Sequence, residues 1–276
     1  MKNRFLPIDK LPRTGYPENE SLSWFQRDNP EEYEKSGNPE YSRTEIIYRF
    51  NNLGYRCEEF KKVNAVRIIS VGCSYVFGFG LPEKDIFHQL FANRLSEYIG
   101  RPVINWNLGM VGASNDYIAR ILQLSVPLLD PDIVLINFTR LPRREYVAAH
   151  GKLVSYLPNY VPSDPTGREI YDHFDKLSSS HDDVLNLYKN YKSIESLLRD
   201  RCWLYSFMTK SERECIQEHL DQRRLAGSFL YDDKARDNEH PGRRSHASIC
   251  DKYWERFVEL GSLESLRHFR KETRHE

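Results

Sequence analysis

The chain has 276 residues, enough for one large domain with peripheral segments. Hydrophobic residues make up 39 % and charged residues 29 %, and 40 Lys plus Arg balance 40 Asp plus Glu. That balance excludes a global pull toward nucleic acid or an anionic membrane, and no run of about eighteen apolar residues exists to span a bilayer.

The first twenty residues lack an apolar signal core, so a cytoplasmic protein is expected. Residues 1–45 are rich in Pro, Asn, Glu and Tyr and read as an irregular arm packed on the domain through Trp24, Phe25, Tyr33 and Tyr41. Val66–Val71 reads as a buried parallel strand. An amphipathic helix is expected over Lys84–Ile99, with Gly100 just past its end. Val103–Asn107 is a second strand. Ser114 caps a helix from Asn115 to about Val126, stopped by Pro127. Ile133–Phe138 is a third strand.

The stretch 139–181 breaks the alternation and reads as a long loop or lid over the strand ends. Val184–Leu198 is a helix and Cys202–Phe207 a fourth strand. A capping box at Ser211-x-x-Glu214 opens a helix, and Ser228–Tyr231 forms a short strand. A last helix spans Ser245–Leu260, and 261–276 is a polar helical tail. Strand–helix alternation over 46–260 predicts an α/β fold: a parallel sheet of about five strands in a three-layer α/β/α sandwich. Ligands then bind outside the C-terminal strand ends. The five cysteines Cys57, Cys73, Cys202, Cys215 and Cys250 are scattered, which fits free thiols.

The chemistry-bearing residues fall on those ends. Ser74 follows the first strand in Gly72-Cys73-Ser74-Tyr75-Val76-Phe77-Gly78, on a turn that places its N–H at a helix N-terminus. A capping serine is the plain alternative. Asn107 to Gly112 follows the second strand, and Gly112 can offer its N–H to an oxyanion. Thr139 follows the third, with Arg143 and Glu145 behind it. Asp237-x-x-His240-Pro241 stands near the end of the chain. An Asp three positions before a His can reach its Nδ1 and hold one tautomer.

In this order the blocks resemble the SGNH, or GDSL-like, hydrolase superfamily, and Asn51-Asn52-Leu53-Gly54-Tyr55-Arg56 is similar to a lead-in of some bacterial members. Cys73 stands where the family has Asp, as in phage-encoded members. The usual third-block Asn is missing: Thr139 and Leu141 fall near the Gly and Asn positions. The resemblance implies a flavodoxin-like sheet, a Ser74–His240–Asp237 triad, and an oxyanion hole from the N–H groups of Ser74 and Gly112. Thr139 or Arg143 would replace the missing donor. Asn115 is a further polar candidate, and His246 a supporting residue. No cofactor and no metal are implied.

The reading that follows is a serine esterase or deacetylase acting on a polar acyl ester, with a glycan-linked O-acetyl ester as a candidate. If Arg140, Arg143, Arg144, Arg243 and Arg244 line the mouth, the substrate is anionic. The alternative is a catalytically weak or inactive module with a carbohydrate-binding or structural role, virion-associated if phage-encoded. Metal binding by Asp237, His240, His246 and Cys250 ranks below both. A flavin or nucleotide protein would need a Gly-rich phosphate loop, and neither G-x-G-x-x-G after a strand nor a P-loop lysine is present.

Overall fold

The computed structural model describes residues 10–147, 153–158, 160–161 and 165–261. Its centre is a five-stranded, all-parallel sheet: β1 (Val66–Val71), β2 (Val103–Asn107), β3 (Ile133–Phe138), β4 (Cys202–Phe207) and β5 (Leu225–Ser228). The strand order is β2-β1-β3-β4-β5, the flavodoxin-like order, with its switch point beside β1. Every residue of β3 is buried, and in β1 only Arg67 is partly exposed. Strands covered on both faces read as continuous apolar runs, which is why these two were legible.

Five longer helices flank or overhang the sheet: α1 (Phe87–Ile99), α2 (Asn115–Leu129), α3 (Pro165–Leu177), α4 (Ser180–Leu197) and α5 (Arg243–Glu259). α1 packs on α5, and α2 on α4, giving the expected α/β/α layers. Ser114 caps α2 by accepting from the Tyr117 N–H at 3.1 Å.

Several boundaries differ from expectation. α2 does not stop at Pro127 but runs through it to a left-handed Asp130. The proline forfeits only a bond to the carbonyl of the exposed Gln123, while Leu122, Ser125 and Val126 are buried on the sheet side. The capping box is two residues earlier, with Thr209 as the cap and Glu212 as its partner, and opens a helix of only five residues. The last strand is Leu225–Ser228 rather than Ser228–Tyr231, because the 3₁₀ turn Gln222–Arg224 ends sooner than the apolar run suggests.

The stretch 139–181 is not loop throughout. It holds a hairpin of Arg144–Val147 with Leu153–Tyr156, followed by α3. Rings of Tyr146, Phe174, Tyr156 and Tyr171 stack hairpin against helix. The arm also has local structure: a helix at Pro30–Ser36, capped by Asn29, and a two-residue pairing of Ser21–Leu22 with Tyr48–Arg49. Residues 1–9 of the arm and the expected tail beyond 261 lie outside the described residues. No helix among the described residues is long and apolar enough to cross a membrane.

Candidate active site

β1 ends at Gly72, and Ser74–Phe77 form a single helical turn closed by a left-handed Gly78. Ser74 is the first residue of that turn, so its N–H has no intrahelical acceptor; it makes no hydrogen bond among the described residues. The turn is held by buried polar groups. Asn107 Nδ2 donates to Val76 O at 3.0 Å, while its Oδ1 accepts from Gly109 N–H at 2.9 Å. His88 Nε2 lies 2.7 Å from the same Val76 O, and its Nδ1 lies 2.7 Å from Asn105 Nδ2. Arg56, fully buried, donates to the carbonyls of Phe77, Gly78 and Leu81.

Gly112, at φ +76°, also has an N–H with no partner among the described residues. Leu157 of the overhanging segment covers it: a Cβ there would meet Leu157 Cδ1 at 3.3 Å. Asn115 does not face the Ser74 turn. It brackets Thr139, accepting from its N–H at 2.9 Å and donating to its carbonyl at 3.3 Å. Thr139 itself is fully buried, with its hydroxyl 3.7 Å from Met208 Sδ and accepting from Arg143 Nη1 at 2.8 Å. Its hydroxyl is therefore engaged by protein groups. Arg143, which also donates to Ala113 O at 3.3 Å, has no carboxylate partner among the described residues.

The Asp237–His240 turn is a closed loop. Ala235 N–H donates to His240 O at 2.8 Å, Lys234 bridges to Pro241, and Gly242 N–H returns to Asp233 O. Asp233 then accepts from the N–H groups of Arg244 and Ser245, starting α5. Asp237 Oδ2 lies 2.5 Å from His240 Nδ1, and its Oδ1 accepts from the N–H groups of Glu239 and His240. Burial alone would push the Asp237 carboxyl up; the hydrogen bonds and charge of His240 and the Glu239 N–H together hold it below its ordinary value. A carboxylate at Nδ1 leaves Nε2 as the proton acceptor.

The two turns meet. The His240 ring lies edge-on to Tyr75, with centroids 6.0 Å apart, and 4.9 Å from Phe79. Arg236 N–H donates to Gly80 O at 3.0 Å. Ser74 Oγ lies 4.0 Å from Cys73 Sγ and makes no bond to His240 among the described residues. Such a bond commonly tightens only when substrate is bound.

Other expected residues are placed elsewhere. His246 Nδ1 accepts from Phe87 N–H at 3.1 Å, which joins the starts of α5 and α1. Burial, with His88 and His240 nearby, drives its imidazole well below its ordinary value. The group with ligand atoms close enough for a metal is Asp237, Glu239 and His240; His246 and Cys250 are not in it. The arginines of the expected mouth are mostly neutralised: Arg140 faces Glu212, Arg144 pairs with Asp182 and Asp183, and Arg243 pairs with Asp85 and Glu45. A groove of about 650 Å³ lies along β5 and α5, lined by Arg213 and Lys252 among others, and touches none of the candidate residues.

No family model matches this sequence, and no curated protein matches it. Solved structures do. An esterase, EstA, from Pseudoalteromonas sp. is 12 % identical over 71 % of this chain and 99 % of its own, with a TM-score of 0.44. A family 3 carbohydrate esterase from Clostridium thermocellum is 12 % identical over 74 % of this chain and 99 % of its own, at 0.47. A lipolytic G-D-S-L family protein from Veillonella parvula is 13 % identical over 70 % and 99 %, at 0.41.

Proposed function

We propose that the chain is a serine ester hydrolase of the SGNH type, with Ser74 as nucleophile, His240 as general base and acid, and Asp237 as its orienting carboxylate. The observation that carries this reading is the partly buried Asp237–His240 pair, docked through Tyr75 and Phe79 onto the turn that begins with Ser74. Ser74 Oγ attacks the ester carbonyl as His240 Nε2 takes its proton. The same nitrogen returns that proton to the leaving alcohol, and water then repeats the sequence on the acyl-enzyme. The free N–H groups of Ser74 and Gly112 are suited to the oxyanion. Arg143, held over Thr139 and Ala113 without a counter-charge among the described residues, is a better third donor than Thr139. An O-acetyl ester on a glycan is the proposed substrate; Leu157 stands over Gly112, where a Cβ would meet it at 3.3 Å.

A weakly active binding module is the second reading. The absent third-block Asn and the engaged Thr139 hydroxyl favour it. Labelling with a fluorophosphonate probe, together with p-nitrophenyl acetate hydrolysis, separates the two. Labelling lost in Ser74→Ala and His240→Ala is expected; a folded wild type that neither labels nor turns over would leave the module.

A further inference from the structure

The N-terminal arm reaches into the candidate site through one buried carboxylate. Asp28 is 1 % exposed and Arg236 fully buried. Arg236 Nε and Nη2 donate to the two Asp28 oxygens at 2.8 and 2.6 Å. The rest of the guanidinium is spent on the arm as well, donating to Arg43 O and Ser23 O and lying 3.8 Å from the Trp24 ring centroid. Arg236 immediately precedes Asp237.

The same carboxylate also reaches the other half of the site. Tyr48 Oη donates to Asp28 Oδ2 at 2.5 Å and accepts from Gly80 N–H at 2.9 Å. Gly80 lies two residues past the Ser74 turn, and its carbonyl accepts from Arg236 N–H. The bonds form a closed ring: Asp28 to Arg236, Arg236 to Gly80, Gly80 to Tyr48, and Tyr48 back to Asp28. Arg56, whose guanidinium lies 4.3 Å from the Tyr48 centroid, ties the ring to the carbonyls of Phe77 and Gly78.

We propose that Asp28 is a positioning residue that sets the relation between the Ser74 turn and the Asp237–His240 turn, a role that rests on reading those turns as a hydrolytic pair. A buried, fully bonded ion pair contributes little net stability, because desolvation offsets its attraction. What it fixes is geometry. A bidentate Arg–carboxylate fork defines distance and plane, so the backbone at Arg236 has one place to sit relative to Tyr48 and Gly80. A misplacement of about 1 Å between reacting groups can cost about 10²-fold in rate.

The test uses Asp28→Asn and the milder Tyr48→Phe in the full chain, at temperatures well below each variant's midpoint. Both are expected to label with the fluorophosphonate about 10²-fold more slowly than wild type. The His240 Nδ1 proton resonance should move or broaden in Asp28→Asn. Wild-type labelling rates in both folded variants, or an unchanged His240 Nδ1 proton resonance in Asp28→Asn, would overturn the proposal. Should wild type itself not label, the hydrolase reading fails separately, and the proton resonance decides: a shift supports positioning and an unchanged signal refutes it.

Discussion

A Cβ at Gly109 would stand 2.4 Å from the backbone nitrogen of Phe77 and 2.8 Å from the carbonyl carbon of Val76. The loop after β2 therefore lies directly on the Ser74 turn, backbone against backbone, where no side chain can yield. Gly109→Ala is expected to destabilise the fold by about 3 kcal/mol, as overpacking without relief does. It should also abolish probe labelling. Urea unfolding monitored by tyrosine and tryptophan fluorescence checks the first, and near-wild-type stability would show that the loop can move away.

The Asp237 carboxylate is held ionised by His240 and two backbone N–H groups while buried from water. Replacing it with Asn keeps the shape but offers Nδ1 the wrong partner. If the hydrolytic reading holds, Asp237→Asn lowers kcat by about 10⁴-fold with little change in KM. A loss under tenfold on p-nitrophenyl acetate would remove Asp237 from that role.

On the proposed hydrolytic reading, Arg143 and Thr139 are the two candidates for the third oxyanion donor. With its hydroxyl accepting from Arg143 and buried beside Met208, Thr139 has little to offer a substrate. Arg143→Ala is expected to cost about 10²–10³-fold in kcat. Thr139→Val should cost far less, since it removes only a support. The reverse order in steady-state kinetics would return the donor to Thr139.

Acid stability has a defined sign. Burial pushes the His88 imidazole down to about 4 from 6.5; Arg56 works in the same direction, and the bond to the Val76 carbonyl opposes it. Between those values the unfolded chain binds a proton that the folded chain refuses. Stability is thus full above about pH 6.5 and falls as pH drops toward about 4, by about 3 kcal/mol from this residue. His246, also driven down by burial, acts in the same sense. His88→Gln should flatten the loss seen in denaturant unfolding between about pH 7 and about pH 4.5. An unchanged slope would place the proton elsewhere.

Much of the fold was written in local chemistry. β1 and β3 announced themselves because both faces are covered, and Ser114 announced α2 because a side-chain oxygen three residues before an N–H caps a helix wherever it occurs. The Asp237–His240 pair was legible for the same reason: its members are three positions apart and meet on one turn. Pro127 misled because its local preference was outweighed by the burial of its neighbours. Whether the arginines expected near the mouth stand free or paired was not legible, because a sequence does not say which carboxylates they will face.

What the amino-acid sequence determined by itself was the first four strands of the sheet, their parallel arrangement and the turns that carry Ser74, Gly112, Asp237 and His240. All of these follow from periodicity and short-range hydrogen bonding. Tertiary structure alone decided what holds those turns together: Asn107 and His88 on Val76, Arg56 on Phe77 and Gly78, and Asp28 with Arg236 across 208 positions of chain. Such bonds leave no local trace, because a buried charge chooses its partner by where folding brings it, not by its neighbours in sequence.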